Sequence, residues 1–312
     1  MTKWLKETPY ANFEVHAQKG DASARSYFRL TDGNKSAILM DSSRELGSLE
    51  AFVRVHTKLD LAGGSVPKIY EQNLERGYLI LEDLGSTHYL DLLDTSNFKD
   101  LYKKAIDEIA KMQRADARDL PLYDREFLHF EMDLMQEWYL QKHLKLELSS
   151  KEKSLLQNSL SAISAKVLEQ PQGFFVHRDY HSRNIMLRGD GSLGIIDFQD
   201  AMSGAITYDL VSLLKDCYIE FERAHIEELA LYFRDLVSPK VSDEEFLEWF
   251  DFMGLQRHIK VLGVFSRLSI RDGKDGYLGD IPLTLKYVTD TASRYSETSG
   301  LARLLQKYID RD

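Results

Sequence analysis

The chain has 312 residues, 43% of them hydrophobic, with six prolines and a single cysteine, Cys217. That length suits two domains or lobes, and a lone thiol excludes an internal disulfide. Forty basic against fifty acidic residues give a formal charge of −10, which argues against a general nucleic-acid binder but not against a phosphate ligand whose charge is offset locally. No apolar run approaches the ~18 residues of a membrane span, and the opening "MTKWLKETPY" lacks the apolar core of an export signal. The expectation is a cytoplasmic monomer with no membrane and no nucleic-acid partner.

Residues 1–83 read mainly as strands. "NFEVHAQKG", "SYFRLTDG", "KSAILMDSS" and "RGYLILED" are rich in β-formers and bounded by Gly and Asp turn signals. One helix interrupts them: "ELGSLEAFVRVHTKLDLAGG" sets Leu49, Phe52, Val53 and His56 at helical spacing and stops at Gly63-Gly64. After "EDLGS" the pattern turns helical, through "NFKDLYKKAIDEIAKMQR", "EFLHFEMDLMQEWYLQKHL" and "KEKSLLQNSLSAISAKVLEQ", then "TYDLVSLLKDCYIEF" and everything from "HIEELALYFRDLV" onward. The prediction is an α+β, bilobal fold. Residues 1–83 form a small antiparallel-sheet lobe ending in a hinge, and residues 84–312 form a larger, mainly helical lobe.

One stretch breaks the helical half, "VHRDYHSRNIMLRGDGSLGIIDFQD" at 176–200. Within it, 185–188 and 193–196 read as two strands joined by the turn Gly189-Asp190-Gly191. Asn184 then stands at the start of a hairpin and Asp197 at its end, and a hairpin brings its open ends together. An Asn and an Asp make a hard, oxygen-only pair with positions left for water and phosphate, which suits Mg²⁺. Asp179, five positions before Asn184, can then meet a substrate hydroxyl. This is the arrangement that phosphoryl transfer needs, and "HRDYHSRN" followed by "IDF" matches the kinase pattern of catalytic Asp, metal-binding Asn and metal-binding Asp.

Blander readings exist. His177 and His181 stand four apart like a zinc pair, but the residues between them are Arg-Asp-Tyr and the segment is not a convincing helix. A serine triad through Ser182 lacks a GxSxG elbow. A solvated loop would not require Asp, Asn and Asp at hairpin ends.

The segment from "FVHRDYHSRN" to "YDLVSLLKDCY" resembles the aminoglycoside phosphotransferase family, whose fold is related to that of protein kinases. The resemblance implies Asp179 as the catalytic carboxylate, Asn184 and Asp197 as metal ligands, and ATP with Mg²⁺ as the phosphoryl donor. It implies that His177, Arg178 and Asp209 support the loop, and that backbone at Glu82, Asp83 and Leu84, in "YLILEDLG", meets adenine. "GDASARSYFRL", "DFQDAMSGAITYDLVSLLKDCY" and "RDGKDGYLGDIPLTLKY" resemble one subgroup of that family, kinases of N-acetylated amino sugars in cell-wall recycling. That subgroup implies a small-molecule sugar acceptor, N-acetylmuramate or N-acetylglucosamine, phosphorylated on its anomeric hydroxyl. A kinase of another hydroxyl compound (aminoglycoside, choline or an amino alcohol) and a catalytically weak nucleotide-binding module remain as alternatives.

Two places depart from the family pattern. The third strand ends "AILM", placing Met40 where a phosphate-binding lysine usually stands, so Arg25, Arg29 or Arg44 is the expected source of positive charge. The first loop, "GDASARSY", has one glycine, and small residues such as Ser23 would let backbone approach phosphate. Glu50, on the helix, would pair with such an arginine or be a surface charge. For the acceptor, a lactyl carboxylate calls for a cation, with Arg183, Arg267 and Arg271 as candidates. Asp275 and Tyr277, in a Gly/Asp-rich loop, suit sugar hydroxyls.

Overall fold

A computed structural model describes residues 1–18 and 25–309; Ser23 lies outside the described residues. In chain order the elements are α1 (Thr2–Leu5), β1 (Glu14–Ala17), β2 (Ser26–Thr31), β3 (Ser36–Asp41), α2 (Leu46–Leu61), β4 (Ile69–Asn73) and β5 (Tyr78–Glu82). There follow α3 (Phe98–Met112), α4 (Arg125–Leu134), a π-helical continuation (Met135–His143), α5 (Ser150–Glu169), β6 (Phe174–Val176), β7 (Ile185–Leu187), β8 (Leu193–Ile195) and β9 (Met202–Gly204). The chain ends with α6 (Tyr208–Leu214), α7 (Arg223–Val237), α8 (Asp243–Asp272), α9 (Ile281–Ala292) and α10 (Ser299–Ile309). The α+β class read from the sequence is the one the chain adopts, with a small antiparallel sheet and a helical majority.

The chain divides into two compact units. The first comprises Met1–Leu92 together with Arg183–Ala201, and the second comprises Leu93–Ser182 together with the residues from Met202 onward. This differs from the division at residue 83 drawn from the sequence, and the reason is hydrogen bonding. The β7–β8 hairpin donates from Leu187 N–H to the Thr87 carbonyl (2.9 Å) and from Ile195 N–H to the Ser65 carbonyl (2.9 Å), and Arg188 reaches Glu82 at 3.3 Å. A change of helical pattern marks where strands stop; it carries no sign of where a distant hairpin docks.

In the first unit five strands make one antiparallel sheet in the order β1-β2-β3-β5-β4. Period-2 alternation sorts its residues. Leu30, Ala37, Leu39, Tyr78 and Ile80 gather on one face with Trp4 and Leu5 of α1, and Trp4 stacks on Tyr78 at 5.4 Å. Leu30 and Leu39 are fully buried, each contributing about 1.5–3 kcal/mol of transfer free energy. Cross-strand pairing of Tyr27 with Met40 and of Met40 with Leu79 puts these residues on the other face. The β2–β3 turn follows from "TDGNK": Asp32 Oδ1 accepts the N–H groups of Asn34 (2.9 Å) and Lys35 (2.7 Å), and Gly33 takes a φ of +90°.

The second unit is built on α8, a 30-residue helix. Ser242 caps it by accepting Glu245 N–H at 3.1 Å, acids fill its first turn, and Gly273 ends it at φ +65°. Most of α8 is buried, and the buried set includes Gln256, Arg257, His258 and Lys260. Gly263 lets α8 approach α4 closely, since a Cβ there would stand 2.4 Å from the Leu134 carbonyl carbon. Polar groups this deep need partners, and those partners form the site.

Candidate active site

In the second unit the apolar strand β6 pairs with β9 and delivers the chain into the loop 177–182. Asp209, buried in the first turn of α6, accepts His177 N–H at 2.8 Å and Arg178 N–H at 3.1 Å on its two oxygens. Arg178 has a φ of +78°, a left-handed conformation that costs a non-glycine residue and persists only where surroundings enforce it. Those surroundings are identifiable. Besides Asp209, Arg257 Nη1 donates to the Arg178 carbonyl at 2.9 Å, and the Arg178 guanidinium donates to Glu131 at 2.5 Å. Beyond Asp179 the chain is tied again, as Ser182 N–H and Oγ both donate to Asp216 (2.9 and 2.5 Å). Tyr180 donates to the Ala105 carbonyl at 2.9 Å, and Asp179 N–H donates to His177 Nδ1 at 3.3 Å. Asp179 is thus the half-buried apex of a loop fixed on both sides.

The charges around it decide its protonation. Burial opposes ionisation of Asp179, but Lys260, Arg257, His181 and Arg178 together outweigh burial and hold the carboxyl well below the usual carboxylate range. Lys260 also lies 3.2 Å from Glu131 and donates to Tyr208 Oη at 3.2 Å. Glu131 accepts from Tyr123 as well. Burial raises the Glu131 pKa, and Lys260 and Arg178 outweigh it, so this deep carboxyl stays ionised.

In the first unit β7 and β8 pair as the sequence predicts, Ile185 opposite Ile195 and Leu187 opposite Leu193. Ile196 N–H donates to the Asn184 carbonyl at 3.1 Å, so Asp197 directly follows the residue bonded to Asn184. Asp197 is exposed and left-handed, with φ +66°, and its Oδ1 accepts from the Gln199 amide at 2.9 Å. The next residue, Phe198, is fully buried and packs on Phe52 of α2 at 4.8 Å. His88 Nδ1 donates to the Arg183 carbonyl at 2.7 Å, fixing the approach to Asn184.

The segment read as a hinge is held by its side chains. Glu82 accepts from Lys68 N–H at 3.1 Å and meets Arg188. Asp83 pairs with Arg29 at 2.8 Å and accepts Gly85 N–H at 2.9 Å. Leu84 is buried against Gly194, where an added Cβ would come within 2.7 Å of its Cδ1. Met40 is fully buried. Among the three candidate arginines, Arg29 is engaged with Asp83 and with the Gly85 carbonyl at 2.9 Å, Arg44 is exposed, and Arg25 is buried against α2, donating to Ser48. Glu50 is exposed; on α2 the Arg25 guanidinium meets Ser48 and lies over the Phe52 ring at 5.6 Å.

A family model described as a phosphotransferase enzyme family matches residues 14–245. The chain belongs to the phosphotransferase enzyme family. Similar relatives named N-acetylmuramate/N-acetylglucosamine kinase occur in Pseudomonas aeruginosa, at 38% identity over 94% of this chain and 88% of the relative. Another, in Neisseria meningitidis serogroup B, shares 37% identity over 99% of this chain and 95% of the relative. Among solved structures, a choline/ethanolamine kinase family protein from Mesorhizobium loti matches with a TM-score of 0.66 at 14% identity, covering 98% of each chain. A choline kinase from Streptococcus pneumoniae matches with a TM-score of 0.64 at 14% identity, covering 93% of this chain and 97% of that one. At such identity these structures establish the fold, which is kinase-like.

In this phosphotransferase the acceptor candidates separate. Arg183 is exposed in the first unit. Arg267, Arg271, Asp275 and Tyr277 lie together in the second, at the end of α8 and in the short 3-10 helix after it. Arg271 is exposed and turned onto Asp272 at 2.7 Å. Asp275 accepts from Ser269 Oγ at 2.6 Å, and Tyr277 stacks on Phe265 at 5.2 Å. Arg267 is half-buried, and its Nε is buried without a hydrogen-bond partner among the described residues.

Sequence reasoning missed Glu131, Asp216, Arg257, Lys260 and Arg188. A signal existed for two of them: in "FMGLQRHIKVLGVF" the cations Arg257 and Lys260 stand three apart, with Gln256 and His258, inside a mainly apolar stretch of helix. Charges buried on a core helix are there to meet something.

Proposed function

We propose that this phosphotransferase transfers the terminal phosphoryl group of ATP to the anomeric hydroxyl of N-acetylmuramate and N-acetylglucosamine. The observation that carries the chemistry is Asp179, a carboxylate kept ionised by Lys260 and Arg257 on a loop clamped by Asp209. The sugar assignment rests on the relatives named N-acetylmuramate/N-acetylglucosamine kinase, which match nearly the full chain.

Asp179 orients the acceptor hydroxyl and accepts its proton as that oxygen bonds to the terminal phosphorus and the bond to the ADP oxygen breaks. A carboxylate this acidic is a weak base, so orientation dominates and the proton moves late, as a loose phosphoryl-transfer transition state allows. The anomeric hydroxyl, more acidic than an ordinary alcohol, eases that transfer. Asn184 and Asp197 are the residues that would hold Mg²⁺: both offer hard oxygens at adjacent hairpin ends, and the Asp197 carboxylate is exposed. When bound, the metal neutralises charge developing on the phosphates. Backbone at Glu82–Leu84 would receive adenine, in a segment whose side chains are locked by Arg29, Arg188 and Gly194.

The test is product analysis on a sugar panel with Mg-ATP. Both amino sugars should yield 1-phosphates that mild acid hydrolyses. Phosphate on the 6-hydroxyl, or turnover of choline or an aminoglycoside alone, overturns the sugar assignment. The buried Met40 favours one second reading, a module that binds nucleotide without transfer, and absence of transfer to every hydroxyl compound in the panel would select it.

A further inference from the structure

A carboxylate that holds a metal must present an oxygen in one direction, and an exposed side chain with two free torsions does not do so unaided. Asp197 is exposed, so its orientation has to come from its neighbours. The backbone supplies part of it. Phe198 is fully buried on Phe52 at 4.8 Å, and its carbonyl accepts Ala201 N–H at 3.2 Å, so residues 198–201 form a turn anchored by an apolar side chain. Asp197 itself has a left-handed backbone, φ +66°, which costs a non-glycine residue and persists where its surroundings enforce it.

The side chain is held by Gln199, inside that turn. The kinase pattern D-F-G has a glycine at this position, with no side chain, and this chain has a glutamine. Gln199 Nε2 donates to Asp197 Oδ1 at 2.9 Å and to Asp200 Oδ2 at 3.4 Å, the longer and weaker of the two bonds. Its Oε1 is buried with no hydrogen-bond partner among the described residues, so the nitrogen end alone directs the amide, and it directs it at carboxylates. Asp197 Oδ2 takes no hydrogen bond from the described residues. One oxygen of Asp197 is engaged and the other is open.

We propose that Gln199 is a positioning residue for the metal: by holding Oδ1 of Asp197 it leaves Oδ2 as the oxygen offered to Mg²⁺. This rests on the reading of Asp197 as a metal ligand in an ATP-using kinase. The residue type suits the task. A lysine or arginine could hold the same oxygen but would offset the negative charge that draws a divalent cation, whereas a carboxamide donates and stays neutral. The competing reading is an incidental contact between neighbours in a turn, lost when the metal binds.

The affinity of the full chain for ADP, measured with Mg²⁺ and again in EDTA, separates these readings, because the ratio isolates what the metal contributes. In Gln199→Leu that ratio should fall about tenfold or more, the size expected when a group that orients a metal ligand is lost, while affinity in EDTA stays within about twofold of the wild type. Gln199→Met, closer to glutamine in shape, should do the same and serves if the leucine variant does not fold. A ratio equal to that of the wild type in either folded variant, whether both affinities fall together or neither does, overturns the proposal. A wild-type chain whose ADP affinity is the same with and without Mg²⁺ overturns instead the reading of Asp197 as a metal ligand.

Discussion

Arg257 of α8 donates from Nη1 to the backbone carbonyl of Arg178 at 2.9 Å, joining two residues of like charge through a peptide oxygen. The bond braces the residue whose left-handed backbone aims Asp179, and its partner brace is Asp209 on the other side of the same peptide chain. Two elements far apart in sequence thus set one dihedral angle, and with it the position of the carboxylate.

Removing a brace should damage turnover more than binding. Arg257→Met is expected to lower kcat by about 10- to 100-fold, the cost of misplacing a catalytic group by a fraction of an ångström to an ångström, with nucleotide affinity changed little. Asp209→Asn should act in the same direction, because one oxygen that accepts an N–H becomes a donor facing it. Steady-state kinetics beside nucleotide binding measurements check this, and a variant that loses nucleotide affinity while keeping kcat would contradict it.

The protonation of Asp179 gives a second prediction. Burial works against its ionisation and Lys260 is the largest charge working for it. Replacing Lys260 by Met removes positive charge, so the Asp179 pKa rises. Activity is then lost at a higher pH on the acid side than in the wild type, whose Asp179 stays ionised down to well below the ordinary carboxylate range. The kcat–pH profiles of the two proteins decide it, and superimposable acid limbs would refute the assignment of Lys260 to this role.

How much of this was legible in the sequence follows from distance along the chain. Asp179, Asn184 and Asp197 lie in one short stretch, and the Gly189-Asp190-Gly191 turn fixes the hairpin locally, so pattern alone reached them. The Asp209 brace came through the family resemblance. Glu131, Asp216, Arg257 and Lys260 act on the loop from helices whose packing no local pattern encodes, although Arg257 and Lys260 stood out as cations in a mainly apolar stretch of helix. The compact units differ from the division at residue 83 for the same reason: β5 ends at Glu82, but the bonds from Ile195 to Ser65 and Leu187 to Thr87 bind a distant hairpin to that unit. On α2 the kinase pattern drew attention to Glu50, whereas the buried arginine meets Ser48, two residues earlier.

A third prediction concerns stability. His258 is buried on α8, donates from Nε2 to the Lys215 carbonyl at 2.9 Å, and is pushed down to about 3 by burial, with Lys215 and Arg257 adding to the effect. Unfolded, it titrates near 6.5. Between these values the unfolded chain binds the extra proton, so the folded state loses stability as pH falls below about 6.5, by up to about 1.4 kcal/mol per pH unit from this group. His258→Gln keeps a donor and removes the titration. Its melting temperature should fall less steeply than that of the wild type between pH 6.5 and 4, and parallel curves would show that His258 is not the group responsible.

The last prediction concerns how the two proposed sugars are told apart. N-acetylmuramate differs from N-acetylglucosamine by a lactyl group that carries a carboxylate, and a negative charge entering a site needs a cation to meet it. Along α8, Arg257, Lys260, Arg267 and Arg271 follow steps of three, seven and four residues, which keeps them on one face of the helix. The first two surround Asp179. Arg271 is turned onto Asp272. Arg267 lies seven residues beyond Lys260, about 10 Å along the axis, and its buried Nε has no partner among the described residues. That makes Arg267 the strongest candidate of the three arginines for the lactyl carboxylate. Arg267→Gln should raise the KM for N-acetylmuramate by about tenfold or more, as loss of a charge-assisted hydrogen bond implies, and leave the KM for N-acetylglucosamine within about twofold. Equal effects on both sugars would show that Arg267 supports the fold of that end of α8 and does not read the carboxylate.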